Sequence, residues 1–395
     1  MKFKIPFGGR AHTYTELEEQ AVVNAMRDAK TLTQGKYLTE FESAFESYIG
    51  KGKAFAVNNA TAALEMAAQL CQLTCDDEII IPAHTFTSSA YPFAKHGGKI
   101  VWADIDLSTR VVTVESIEKC ITANTKAIVV VHLYGYCADM LSIMALAKEH
   151  NLIVIEDVAQ ALGTEIDGQK AGTFGDIGIY SFHSHKNVST LGEGGMLLTK
   201  RTEFKNIIPM LRHNGHCNFS YEREDYWLPA MSNLEFPELN GMPLWPNNYC
   251  LGEVECALGI KLLDRIDELN EEKRKRANKI INALEGREAS GLKFHKVENN
   301  RHSYHLLVAE CVSGMRDYFI KTMANKYGIQ CVVQYYPLYR YPLYKDAGFG
   351  KADCPNTDVF FDNMVSLPFE HQLEDAQIDY IIESVKSTVD EFHKC

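Results

Sequence analysis

The chain has 395 residues, 46% apolar and 23% charged, a balance that suits two packed domains and excludes a disordered polypeptide. Its formal charge of −12 argues against nonspecific attraction to nucleic acid, and no apolar run reaches the roughly 18–20 residues of a membrane span. The main basic cluster, Lys273 to Arg276, follows acidic residues in a helical stretch, and the reading is a solvated helix face.

Eleven cysteines are scattered without the paired short spacings that a tetrahedral zinc site requires, so no metal is expected. The opening MKFKIPFGGR lacks the apolar centre of a secretory signal. Free thiols in a cytoplasmic protein are the expectation.

Along the chain, Leu17, Ala21, Val22 and Ala25 recur at helical spacing, and a second amphipathic helix is predicted from Thr39 through Phe41, Ala44, Phe45 and Tyr48 to Gly50. Short apolar runs then alternate with helical stretches: 54–57, 78–83, 99–106, 127–135 and 152–157, followed by 176–182 and 194–199. Strands that are apolar on both faces need cover on both sides, which predicts an α/β fold with a mainly parallel sheet wrapped by helices. Ligands of such sheets bind beyond the carboxyl ends of the strands.

Residues 201–250 are aromatic, proline-bearing and without clear period, which predicts an irregular functional or interface segment. One long helix is predicted over 251–285, with Val254, Leu258, Leu262, Ile266 and Leu269 as its seam. The domain division is therefore 1–250 for a large domain with an N-terminal arm, 251–285 for a linking helix, and 286–395 for a smaller α+β domain. Within the last, SYHLLVAE and CVVQYY are predicted strands, and 316–327 and 373–392 predicted helices.

Three places carry chemistry. Lys186 follows a predicted strand and precedes a glycine-rich turn, where partial desolvation would make its amine a nucleophile toward an aldehyde. Alone, a single lysine fits a surface position as well, and neighbouring His183 and His185 fit packing or metal-ligand roles. Asp157 ends a buried apolar strand and calls for a positive partner such as a protonated pyridine nitrogen; alone it equally fits a cap of the next helix. Residues 56–68 run from a strand through Asn58, Asn59, Ala60 and Thr61 into a helix, which suits either a phosphate cradle or an ordinary well-capped helix. The glycine loops of dinucleotide sites and P-loops are absent from the sequence.

The ordered strings AVNNATAAL, IPAHTFTSSA, VWADID, VHLYGYCADM, IEDVAQALG, GTFGDIGIYSFHSHKN and GEGG, continued by YHLLV, YYPLYRYPLY and SLPF, cover nearly the whole chain. This run resembles the sugar aminotransferases of the DegT/DnrJ/EryC1/StrS family. The resemblance implies PLP-dependent transferase fold type I, which is aspartate aminotransferase-like. In that fold a mixed, mainly parallel seven-stranded sheet in the large domain stands beside a smaller α+β C-terminal domain. It also implies pyridoxal 5'-phosphate (PLP) as cofactor, a homodimer with active sites at the interface, glutamate as amino donor and an oxo-sugar as acceptor.

Carried onto this sequence, the resemblance makes Lys186 the lysine that joins the cofactor and Asp157 the partner of its ring nitrogen. Phe86 matches the residue stacked on the ring, Gln160 the contact to the ring hydroxyl, and Ala60, Thr61 and Ser181 the phosphate-binding positions. Asn248 matches an asparagine reaching the phosphate from the neighbouring subunit. Three departures affect the acceptor pocket: Cys250 stands where arginine is common, and Gln334 and Tyr339 stand where histidines are frequent. The acceptor is then a nucleotide-linked keto-deoxysugar or the free 8-oxo acid that yields 8-amino-3,8-dideoxy-octulosonate, with surface polysaccharide synthesis as the setting. Competing readings are a PLP-dependent sugar dehydratase, which would carry histidine in place of Lys186, and a non-catalytic binding or regulatory protein.

Overall fold

Seven strands form the central sheet: β1 (Lys53–Val57), β2 (Glu78–Pro82), β3 (Lys99–Ala103), β4 (Thr125–Val131), β5 (Ile153–Asp157), β6 (Ile177–Ser181) and β7 (Gly195–Thr199). Their order is β1-β7-β6-β5-β4-β2-β3, and all run parallel except β7, which is antiparallel to both its neighbours. The computed structural model describes residues 2–10, 12–219, 232–284, 286, 291–295 and 301–394. Residues such as Ile79, Ile128, Val154 and Ile179 are fully buried, as expected for strands covered on both faces.

Register decides what the sheet presents at its carboxyl edge. Gly195 pairs with both Val57 and Ser181, and Asp157 pairs with Ile179. The ends of β1, β5 and β6 and the start of β7 therefore meet at one place. Just past β1, the helix Ala60–Cys71 begins, capped by Asn59 Oδ1, which accepts the N–H of Ala62 at 2.8 Å.

The structure departs from the sequence reading at several elements. The strand predicted to 135 stops at Val131, because Tyr134 takes a positive φ of 61° and gives its N–H to Gln160 Oε1 at 2.8 Å. Within 201–250, Thr202–Arg212 is a regular helix with Phe204, Ile207, Ile208 and Leu211 buried; Pro209 inside it obscures the pattern. Residues 220–231, the aromatic centre of that segment, lie outside the described residues.

The predicted linking helix is two helices, Glu253–Leu263 and Ile266–Ala283, broken where Arg265 adopts φ −127° and ψ 10°. Arg265 reaches Glu18 Oε1 at 3.1 Å. That contact also explains the first helix, Glu16–Asp28. Glu18 is buried by the ion pair and a capping box with Thr15, whereas Leu17, read as part of the apolar face, is 77% exposed.

Toward the C-terminus, β8 (Leu292–Phe294), β9 (Leu307–Cys311) and β10 (Met364–Leu367) form an antiparallel sheet. Helices Arg316–Asn325 and Asp375–Phe392 pack with it around Phe319, Ile381 and Val385. The predicted strand CVVQYY makes only the isolated bridge Val332↔Ser366; beyond it Gln334 gives its N–H to Met364 Sδ and leaves the sheet. Ile5 from the N-terminal arm is buried in this second core and bridges to Ile329. No helix among the described residues is long and apolar enough to cross a membrane.

Candidate active site

A cavity of about 830 Å³ opens at the carboxyl edge where these strand ends meet. Seven of the eight sequence-predicted residues line it: Ala60, Thr61, Phe86, Asp157, Gln160, Ser181 and Lys186. Asn248 does not. It is exposed and bridges to His213, outside the cavity of its own chain.

Asp157 is held rigidly at the end of β5. Its Oδ2 accepts the Ser89 hydroxyl at 2.7 Å, Ser89 is in turn 3.1 Å from Thr85 Oγ1, and Oδ1 accepts the N–H of Ala159 at 3.0 Å. With two donors on it, the carboxylate is fixed in one orientation. Lys186 follows β6 through a tight turn in which its N–H meets the carbonyl of His183 at 2.8 Å. Burial lowers its amine from 10.5 to about 8, against an opposing pull from Asp157. A neutral, nucleophilic amine is therefore accessible near physiological pH.

On the opposite side of the strand ends, the helix start at Ala60 leaves its first N–H groups without intrahelical partners. Gly195 packs against this turn so closely that an added Cβ would stand 2.6 Å from Asn59 C and 2.7 Å from Ala60 N. Thr61 Oγ1 donates to Ser88 Oγ at 2.9 Å, and both residues face the cavity together with Ser181. Amides and hydroxyls at a helix N-terminus suit a phosphate.

Phe86 is 53% exposed and forms one wall, edge-on to Tyr335 at 6.3 Å. Gln160 Nε2 donates to the Tyr335 hydroxyl at 3.2 Å. Tyr335 was not singled out from the sequence; the aromatic run YYPLYRYPLY was the available signal. Of the residues read into the acceptor pocket, Gln334 lines the cavity, whereas Tyr339 is buried apart from the lining and bonded to Asp358, and Cys250 flanks β1.

The largest correction concerns the basic cluster. Lys273 is not on a solvated face: it is 7% exposed, lines the cavity, and donates to Asn187 Oδ1 at 3.0 Å and to the His305 carbonyl at 3.3 Å. Arg276 is also turned in, giving its N–H groups to the carbonyls of Glu370 at 2.6 Å and His371 at 3.2 Å. The helical period over 266–281 holds the signal, since Lys273 falls on the same stripe as Ile266, Leu269 and Ala277. Glu370 and the N-terminal Phe7, Gly8 and Gly9 complete that side, and Gly8 donates its N–H to Glu370 Oε1 at 2.7 Å. His183 and His185 lie with rings 5.0 Å apart, and no group of three or more metal-ligating residues is assembled among the described residues.

The model of the DegT/DnrJ/EryC1/StrS aminotransferase family matches residues 13–386. The chain belongs to that family. It is 32% identical to the spore coat polysaccharide biosynthesis protein SpsC of Bacillus subtilis, over 94% of both chains. It is 30% identical to the GDP-perosamine synthase of Caulobacter vibrioides, over 92% of this chain and 93% of the relative. Among solved structures, Helicobacter pylori PseC, an aminotransferase of pseudoaminic acid biosynthesis, superposes with a TM-score of 0.87 at 25% identity, covering 98% of this chain and 99% of its own. The PLP form of the putative sugar aminotransferase Spr1654 from Streptococcus pneumoniae does so with a TM-score of 0.83 at 28% identity, covering 98% and 99%.

Aminotransferases of this family depend on PLP, and the cavity fits it. The test lies in the residues themselves. A desolvated lysine amine, a fixed carboxylate and an amide-rich helix start kept open by a glycine face one another across a space large enough for the cofactor and a sugar.

Proposed function

We infer that the chain moves an amino group from an amino acid, glutamate as the favoured donor, onto an oxo-sugar. The observation that carries this reading is the lowered Lys186 amine facing the fixed Asp157 carboxylate inside the cavity. Lys186 Nζ, which gives up its proton as pH rises through about 8, would hold the aldehyde of the cofactor and, when free of it, would move a proton to and from the substrate carbon. The Asp157 carboxylate holds the proton of a pyridine nitrogen. Ser181, Thr61 and the Ala60 and Thr61 amides would hold the phosphate, and Phe86 and Gln160 would hold the ring and its hydroxyl. PLP itself supplies an electron-accepting ring for charge that develops on the substrate carbon.

The active unit is a homodimer, in which Asn248 of one subunit reaches the cofactor phosphate of the other. What supports this is that Asn248 is exposed and outside its own cavity, on a surface that also exposes Trp245 at 76%. The acceptor is a nucleotide-linked keto-deoxysugar or the free 8-oxo-3-deoxy-octulosonate, used to build surface polysaccharide.

The deciding experiment incubates the purified protein with PLP and glutamate and screens nucleotide-linked keto-hexoses against the free oxo-octulosonate. A visible absorbance band lost on borohydride treatment, with amino transfer to one acceptor class, is the expected result. A colourless protein with no transfer would refute the reading.

A further inference from the structure

We propose that Lys273 is the residue that receives a carboxylate of the substrate, a claim that rests on the aminotransferase reading of the same cavity. Four observations converge on it. Lys273 is turned inward from a helix whose neighbouring Arg274 and Lys275 bind Glu271 at the surface. Its ammonium is held by two neutral acceptors, Asn187 Oδ1 at 3.0 Å and the His305 carbonyl at 3.3 Å, which leaves one of its three N–H groups for a ligand. Among the described residues no carboxylate makes an ion pair with it: Glu370, the acid on that side of the cavity, favours its charge from a distance and accepts the N–H of Gly8 on Oε1. No arginine lines the cavity among the described residues, and its other lysine, Lys186, is committed to the cofactor.

A buried cation without a contacting anion is costly, and an incoming carboxylate removes that cost. The same burial lowers Lys273 from 10.5 to about 8, so most of it stays charged at neutral pH. Phe369, with its ring 5.1 Å from Nζ, supports the charge from the side. Asn187 follows Lys186 directly in sequence, and burial together with the ammoniums of Lys186 and Lys273 depresses the His305 imidazole. Lys273 thus shares one compartment with the reacting amine. The carboxylate comes from the amino-acid donor or from an acidic acceptor, and the experiment separates the two.

Holoenzyme and its Lys273→Gln and Lys273→Arg variants are titrated with L-glutamate, following cofactor absorbance through the donor half-reaction. Their pyridoxamine forms are then titrated with the free oxo-octulosonate and with a nucleotide-linked keto-hexose. A donor role raises the half-saturating glutamate at least about tenfold in Lys273→Gln with both acceptors unmoved, the effect of losing one charged hydrogen bond. An acceptor role instead weakens the free acid and spares the nucleotide-linked sugar. Lys273→Arg, which keeps the charge, recovers part of either loss.

Equal changes for all three ligands, or none in a folded variant with the wild-type cofactor spectrum, overturn the proposal. Should Lys273→Gln fail to fold, calorimetry on the wild-type holoenzyme decides. Glutarate or the free oxo-octulosonate must bind, and the amide of whichever acid binds must bind at least about tenfold more weakly; equal binding of acid and amide, or no binding of either acid, rejects the carboxylate site. Because such binding requires no turnover, this outcome stands apart from a failure of the aminotransferase reading, which would appear as wild-type protein inert toward every donor.

Discussion

The hydroxyl of Ser89 donates a 2.7 Å hydrogen bond to Oδ2 of Asp157, joining the loop after β2 to the end of β5. A hydrogen bond to a charged acceptor contributes about 1.5–3 kcal/mol. Ser89→Ala is therefore expected to lower kcat/KM about tenfold while leaving the fold intact, and Asp157→Asn, which removes the charge, at least about a hundredfold with weaker PLP binding. Steady-state kinetics and a cofactor titration check both. Wild-type kinetics in Asp157→Asn would remove this carboxylate from the mechanism.

Lys186 predicts a specific pH profile. Its folded value, near 8 instead of 10.5, means that the fraction of neutral amine rises as pH increases through about 8 and is nearly complete well before 10.5. The rate at which apoprotein captures PLP in a borohydride-trappable form should follow this curve and level off above the midpoint. Lys186→Ala should bind PLP without trapping it and show no turnover. A capture rate still climbing at pH 10.5 would mean that the amine is solvated.

Gly195 is held to a glycine by the backbone of Asn59 and Ala60. A methyl group there must push back the helix start that supplies the phosphate amides. Overpacking of this kind costs about 1–3 kcal/mol. Gly195→Ala is expected to lose stability in that range and, because the displaced atoms line the cavity, to weaken PLP about tenfold. Urea denaturation and a PLP titration separate the two effects; an unchanged PLP affinity would show that the helix start does not hold the phosphate.

How much of this was legible depends on the range of the interaction concerned. The seven strands are readable because each is a short apolar run, Asp157 because it ends such a run, and Lys186 because it stands in the turn after another. What the sequence hid is set by distant partners. Glu18 caps its own helix, but the charge it buries is met by Arg265, 247 positions away, and the same contact accompanies the break between the two helices that read as one. The charges around Lys273 point to a solvated face, although its place on the apolar stripe with Ile266, Leu269 and Ala277 opposes that. Its burial depends on Asn187 and His305, which only the fold brings to it.

That burial gives a stability test independent of catalysis. The Lys273 ammonium has its proton affinity lowered by desolvation, to about 8 in the fold against 10.5 in the unfolded chain. Between these values the unfolded state binds more protons, so the stability of the apoprotein must rise with pH across that window. Below pH 8 the full cost of burying the charge is present, and it is relieved as pH rises from 8 to 10.5. Lys273→Met lacks this titration, while Lys186 and every other group titrate in both proteins. The absolute stability of the variant is ambiguous, since Asn187 Oδ1 and the His305 carbonyl lose a donor. The slope is not ambiguous: the stability of wild type relative to Lys273→Met should increase across the window, by on the order of 3 kcal/mol at most. Urea midpoints of the two apoproteins at several pH values measure it, and a flat difference would mean that water reaches the Lys273 ammonium.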